Sequence, residues 1–211
     1  RNGFKNTIHP EALEEPLKWR KASVVFVCSM GDLFHEDVPF EFVDNVMDVI
    51  SKTPQHTYQL LTKRAERMAE YFSSRLIPQN VWLGVTVEDT LTKYRIDFLR
   101  NLSAQVKFLS CEPLLCDLGE LDLEGVDWII VGGESGPIAR PMKEEWVLNI
   151  KRQAEQKSIP FFFKQWGTWS KEGVKGNKKK NGKLLQGEVI QQMPKVVHEN
   201  FRNKDQTKFW E

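Results

Sequence analysis

Trp128-Ile129-Ile130-Val131-Gly132-Gly133-Glu134-Ser135-Gly136-Pro137 is the stretch on which the fold turns. Apolar, mostly β-branched residues pass without polar alternation into paired glycines, a carboxylate, a serine and a third glycine. Such a run reads as a strand buried on both faces. The glycines, lacking Cβ, permit a sharp turn or a close backbone approach. Glu134 then stands where a buried strand meets solvent.

The same grammar recurs along the chain. Val24–Cys28 runs into Ser29-Met30-Gly31-Asp32, Thr57–Leu61 into Thr62-Lys63-Arg64, and Val81–Val85 into Thr86-Val87-Glu88. Val106–Leu109 runs into Ser110-Cys111-Glu112-Pro113, and Phe161–Phe163 into Lys164-Gln165-Trp166-Gly167. Helical periodicity fills the gaps. One helix starts at Asp37-Val38-Pro39 and carries Phe42, Val43, Val46, Met47 and Ile50. A second spans Ala65 to Leu76 with Met68, Tyr71 and Phe72 inward, and a third carries Leu91, Tyr94, Phe98 and Leu102. A fourth spans Lys143–Lys157 through Trp146, Val147, Ile150 and Ala154. Pro10 opens a single turn near the start, and Leu114–Asp127 reads as a loop with room for a short strand at Leu121 and Leu123.

Strands alternating with helices over short links require parallel pairing and right-handed crossovers, hence an α/β class. An open sheet concentrates polar groups near one switch point. Here they stand at every strand end, so a (βα) barrel of parallel strands, partial or complete, is expected. The barrel domain is assigned to residues 1–167. Residues 168–211 form an expected C-terminal appendage, a basic loop followed by a hairpin over Leu184–Met193. The first residue is Arg1 rather than Met, and an earlier βα unit is expected upstream of it.

Lys+Arg 30 against Asp+Glu 29 leaves a net charge of +1, so global charge selects no polyanionic partner. The apolar runs are too short to span a membrane. Three cysteines, Cys28, Cys111 and Cys116, form no CxxC pair and read as reduced thiols in a cytoplasmic protein.

The strand ends supply Ser29, Asp32, Lys63, Arg64, Thr86, Glu88, Ser110, Glu112, Glu134, Ser135, Lys164 and Gln165. In a barrel these gather around one mouth. Lys63, Glu88, Glu112, Glu134 and Lys164 are the expected catalytic set, because clustered charges move carboxylate pKa values both ways. The plainer alternative is an ion-pair network. Gly132 and Gly133 begin a loop able to hold a phosphate or carboxylate on backbone N–H groups, or else a tight turn. No Walker loop, GxGxxG fingerprint, GxSxG elbow or HExxH pair occurs. The scattered histidines, His35 among them, exclude an evident zinc site. Trp166 and Trp169 stack on a ligand or pack the rim. Lys171, Lys175, Lys178, Lys179, Lys180 and Lys183 either grip nucleic-acid phosphates or form a solvated, mobile loop.

The blocks Ser29–Pro39, Leu61–Arg64, Val81–Glu88, Phe108–Leu114, Val131–Gly136 and Phe162–Gly167 resemble the phage-derived family named after gene products thirty-seven and sixty-eight, a domain of unknown function. The resemblance runs from about His9 to Gly167. Full-length members are similar to radical S-adenosylmethionine enzymes and carry a cysteine cluster for a [4Fe–4S] centre ahead of this region. The resemblance implies that Ser29, Met30, Gly31 and Asp32 stand where such enzymes place Gly-Gly-Glu, with Asp32 meeting the S-adenosylmethionine amino group. It places Gly132-Gly133-Glu134 elsewhere around the mouth, on the substrate side.

Three expectations follow. The first is a radical S-adenosylmethionine-like enzyme of phage or mobile-element origin whose substrate the sequence does not name, the phage association and lysine-rich arm pointing to nucleic acid or a nucleotide. The second is a cluster-free barrel enzyme acting on a small anionic substrate through Glu88, Glu112 and Glu134 with Lys63 or Lys164. The third is a non-catalytic nucleic-acid module using Lys171–Lys183. Oligomeric state is not readable from the sequence.

Overall fold

The computed structural model describes residues 7–195 and 207–210. Its strands are β1 (Val24–Val27), β2 (Thr57–Thr62), β3 (Val81–Thr86), β4 (Val106–Cys111), β5 (Trp128–Gly132), β6 (Phe161–Gln165) and β7 (Thr207–Trp210). They form one 7-stranded sheet in the order β6-β5-β4-β3-β2-β1-β7, every neighbouring pair parallel. From β1 to β6 the spatial order is the chain order, and this part curls into a half-barrel. The barrel is partial, with β6 and β7 at its two edges.

Because the order never reverses between β1 and β6, right-handed crossovers put their helices on one face. These are α1 (Phe40–Lys52), α2 (Ala65–Phe72), α3 (Arg95–Arg100) and α4 (Glu144–Gln156). The outer core packs alternate strand residues such as Val25, Leu60, Leu83, Leu109 and Val131 against Val43, Ile50, Met68, Leu99 and Ile150. The opposite, concave face carries its own cluster of Trp82, Val106, Phe108 and Trp128, bordered by partly buried Leu61, Ile130 and Phe162. Gly84 makes this possible, because the Phe108 ring occupies the space a Cβ there would need. Trp128 meets the rings of Phe108 and Phe162 at 5.7 and 5.8 Å.

Four strands run further than their apolar stretches. Thr62, Thr86, Ser110 and Gln165 remain in the ladder, where Thr62 pairs with Val85 and Thr86 with Ser110. The second helix ends at Phe72, short of the expected Leu76. Ser73 Oγ donates to the Glu70 carbonyl, a local bond that competes with helix propagation, and Arg75 turns back to Asp44 at 2.7 Å. The third helix is shorter and rotated from expectation. Ile96 and Leu99 are its buried positions, while Leu91, 82% exposed, sits in a 3-10 turn capped by Asp89. Leu121 and Leu123 are buried in the loop before β5 without forming a strand.

Residues 168–211 do more than append. Ile190 and Gln192 run back along β6, with Phe163 N–H donating to the Ile190 carbonyl at 2.7 Å and Gln192 N–H to Phe161 at 3.1 Å. A Leu185–Glu188 bridge makes the tight turn before it. At the other edge β7 joins β1, and Trp210 is buried against Tyr58. The 190–192 segment thereby covers part of the β6 edge, while β7 extends the sheet beyond β1 and forms its other edge. The lysine-rich stretch is a structured loop with one helical turn, α5 (Lys178–Asn181). It is tied to the mouth by Asn181 Nδ2 to the Gly167 carbonyl and Lys175 Nζ to the Pro137 carbonyl, at 3.0 and 2.8 Å. Residues 1–6, 196–206 and 211, which fall within the two expected domains, lie outside the described residues.

Candidate functional site at the carboxyl end of the half-barrel

Parallel strands in one sheet present their carboxyl ends together, and the expected residues all follow from that. The structure sorts them into three groups rather than one.

The first group belongs to β1 and β2. Asp32 accepts from Phe34 N–H and Thr62 Oγ1 on one oxygen, and from Lys63 N–H and Arg64 Nη1 on the other. A carboxylate offers about four acceptor directions. All are used within the protein, so Asp32 ties the β1 loop to the end of β2. The expected contact from Asp32 to a cofactor amino group has no acceptor left to receive it. Arg64 continues the chain of charge to Glu36 at 3.1 Å. Met30 stands 85% exposed beyond this knot, in the loop with Ser29 and Gly31.

The second group joins β2, β3 and β5. Lys63 Nζ meets one oxygen of Glu88, and Arg95 Nη1 from α3 meets the other at 2.7 Å while also donating to the Thr86 carbonyl. Glu134 is gripped by Arg140, which donates from its backbone N–H, Nε and Nη2 at 2.7, 2.9 and 2.8 Å. This fork holds the Glu134 carboxyl far below the usual carboxylate range, at about 2, with Lys63 contributing from across the mouth. Glu134 is therefore a permanent anion, unsuited to proton transfer near neutrality. Below Glu88, burial and that negative charge push the Cys111 thiol up to about 12, so it is an inert core thiol.

The third group joins β4, β5 and β6. Glu112 receives Lys164 Nζ at 2.7 Å on one oxygen and Gln165 Nε2 at 3.0 Å on the other. Consecutive residues of a regular strand point to opposite faces. A bulge breaks that rule here: Phe163 pairs with Val131 but Gln165 pairs with Gly132, and the extra residue lets both side chains reach one carboxylate. The Glu112 side chain lies over Gly132, where an added Cβ would sit 3.0 Å from its carboxyl carbon.

The glycines thus serve the protein's own packing. At Gly133 the Cβ space is taken by the Trp166 carbonyl, and its N–H donates to the Gln165 carbonyl at 2.9 Å. Gly136 N–H donates to Thr168 Oγ1 at 2.9 Å. Of the expected anion cradle these two amides are already committed, which favours the tight-turn reading. Trp166 is buried, with Nε1 donating to the Leu184 carbonyl, and Trp169 Nε1 donates to Ala139, so both pack the rim.

Sequence reading missed Arg95 and Arg140. Each lies on a helix or loop with no apolar run to announce it, and only the folded geometry shows its partner. Gln165 was visible as a strand end, but its pairing with Glu112 depends on the bulge.

The residues of a cluster-binding site are not brought together here. Among the described residues no three of His, Cys, Asp and Glu converge as metal ligands, and Cys111 is fully buried. The described residues therefore do not fit an iron–sulfur centre. Among them, too, no helix is long and apolar enough to cross a membrane.

Residues 2–194 match the family described as Protein of unknown function (DUF5131), and the chain belongs to that family. No curated protein and no solved structure matches the chain.

Proposed function

We propose that this protein is an enzyme of radical S-adenosylmethionine-like architecture that binds a small polar ligand between the ends of β3 and β6. The architecture rests on the resemblance of the quoted sequence blocks, and the observation that supports a ligand site is the pairing of Glu88, Glu112 and Glu134 with Lys63, Lys164 and the two arginines at one end of a half-barrel. Side chains held this way bind and orient a ligand and leave the hard chemistry to a bound group. Because the described residues do not assemble cluster ligands, their contribution is confined to holding the ligand.

Calorimetric titration of the protein with S-adenosylmethionine tests this. Saturable binding that weakens at least about tenfold in Glu112→Gln is expected, since one charge-assisted contact is worth that much. Absence of S-adenosylmethionine binding would overturn it.

The second reading is a cluster-free enzyme for a small anionic substrate, favoured by Lys63 and Lys164, each half exposed at the mouth. Phosphate or succinate binding, abolished in Lys164→Ala but indifferent to S-adenosylmethionine, would select it.

A further inference from the structure

Among the described residues, two buried polar atoms at the mouth have no hydrogen-bond partner, Arg95 Nε and Gln165 Oε1, and of these only Gln165 Oε1 is an acceptor. Gln165 is 5% exposed, and its Oε1 is buried without a hydrogen-bond partner among the described residues. The orientation of this amide is dictated by chemistry. A carboxylate only accepts, so the face of Gln165 toward Glu112 must be Nε2, and Oε1 must point away. Burying an acceptor unsatisfied is costly, and native structures keep such groups rarely and for a reason.

Its surroundings state what would satisfy it. Lys164, the preceding residue, carries an ammonium group that is half exposed and has donors beyond its bond to Glu112. One step down the sheet, on the face shared with Gly132, lie Ile130 and Phe162, partners in register and only partly buried. An acceptor and a donor thus belong to consecutive residues at the end of β6, next to the apolar Ile130–Phe162 pair, with the Glu112 side chain lying over Gly132.

We propose that Gln165 Oε1 and Lys164 Nζ read the amino-bearing edge of a planar nitrogen heterocycle, a nucleobase or nucleoside, seated over Ile130 and Phe162. The exocyclic amino group donates to Gln165, a ring nitrogen or carbonyl accepts from Lys164, and the ring covers the apolar side chains. This rests on the mouth being a small-ligand site, but not on the ligand being S-adenosylmethionine. The base belongs either to that cofactor or to a separate substrate.

The test compares ligands that differ by one amino group. The full chain is titrated with adenosine against purine riboside, with guanosine against inosine, and with S-adenosylmethionine. At least one amino-bearing nucleoside is expected to bind about tenfold more tightly than its counterpart, the effect of one satisfied buried acceptor. Gln165→Met is expected to erase that discrimination, and because it also removes the Nε2 bond to Glu112 its melting temperature is measured alongside. Failure of every nucleoside to bind, or discrimination that survives Gln165→Met, overturns the inference. A lower melting temperature with discrimination intact marks a merely structural glutamine and does the same. The ligand comparison on the unaltered chain stands even where Gln165→Met does not fold. Gln165-dependent discrimination without S-adenosylmethionine binding keeps this inference and removes the cofactor reading. S-adenosylmethionine binding without discrimination does the reverse.

Discussion

Arg140 closes on Glu134 as a fork, Nη2 to Oε1 at 2.8 Å and Nε to Oε2 at 2.9 Å. The carboxyl is driven down to about 2, so this pair contributes stability above the ordinary carboxylate range and loses it as pH falls toward that value. The stability difference between the protein and Glu134→Gln should be largest at neutral pH and vanish near pH 2. Its neutral-pH size should be roughly 1 kcal/mol, because Arg140 is largely exposed. Urea unfolding across pH measures it. A difference that peaks in acid would contradict the assignment.

His56 should make the fold acid-sensitive from the opposite chemical direction. Its ring is buried, and loss of hydration holds its pKa below the usual histidine value. The unfolded chain takes up the proton near about pH 6.5 while the folded one resists it, so stability is present above that pH and lost below. The melting temperature should drop between pH 7.5 and 5.5, and His56→Gln should flatten that slope. An equally steep slope in the variant would assign the effect to other groups.

Gly133→Ala should be among the most damaging single-methyl additions to this chain. The new Cβ would fall on the Trp166 carbonyl, which is backbone and cannot swing away. Separating the ends of β5 and β6 costs about 3 kcal/mol or more, on the scale of severe overpacking. Chemical denaturation reads this directly, and a variant as stable as the parent would mean the loop relaxes without strain.

Glu88 and Lys63 should behave unequally although they touch. Removing Glu88 strands Arg95, which is mostly buried, whereas removing Lys63 leaves Glu88 still paired with Arg95. Glu88→Ala should cost about 3 kcal/mol and Lys63→Ala less than about 1. Equal losses in unfolding experiments would dispute the central place given to Arg95.

Thiol titration offers a simpler check. Cys111 is fully buried with its pKa raised to about 12, whereas Cys28 and Cys116 are partly exposed. At most two of the three thiols should react with a disulfide reagent near pH 8 before unfolding, and the last should appear only with denaturant. Three fast-reacting thiols would place Cys111 nearer the surface.

Membership of the strands was readable because it is written locally. The Trp128–Val131 run, like Val81–Val85, has no polar alternation, and a doubly buried strand needs none. Boundaries were less readable where polar residues stay in the ladder, as Thr86 does opposite Ser110. The third helix was misread because Leu91 and Tyr94 mimic an apolar stripe, while a capped 3-10 turn at Asp89 shifts the register and turns Ile96 and Leu99 inward.

The sequence by itself determined the order of strands and helices from β1 to β6, the parallel α/β barrel class with a partial and a complete barrel both open, and the polar residues at each strand end. Those follow from periodicity and from the reach of short links, both properties of neighbouring residues. Only the tertiary structure decided that Arg140 holds Glu134, that Arg95 holds Glu88, that a bulge brings Gln165 to Glu112, and that β7 returns to cover β1. Each of these joins elements through space, where hydrogen-bond geometry and excluded volume choose among partners that sequence spacing leaves equivalent.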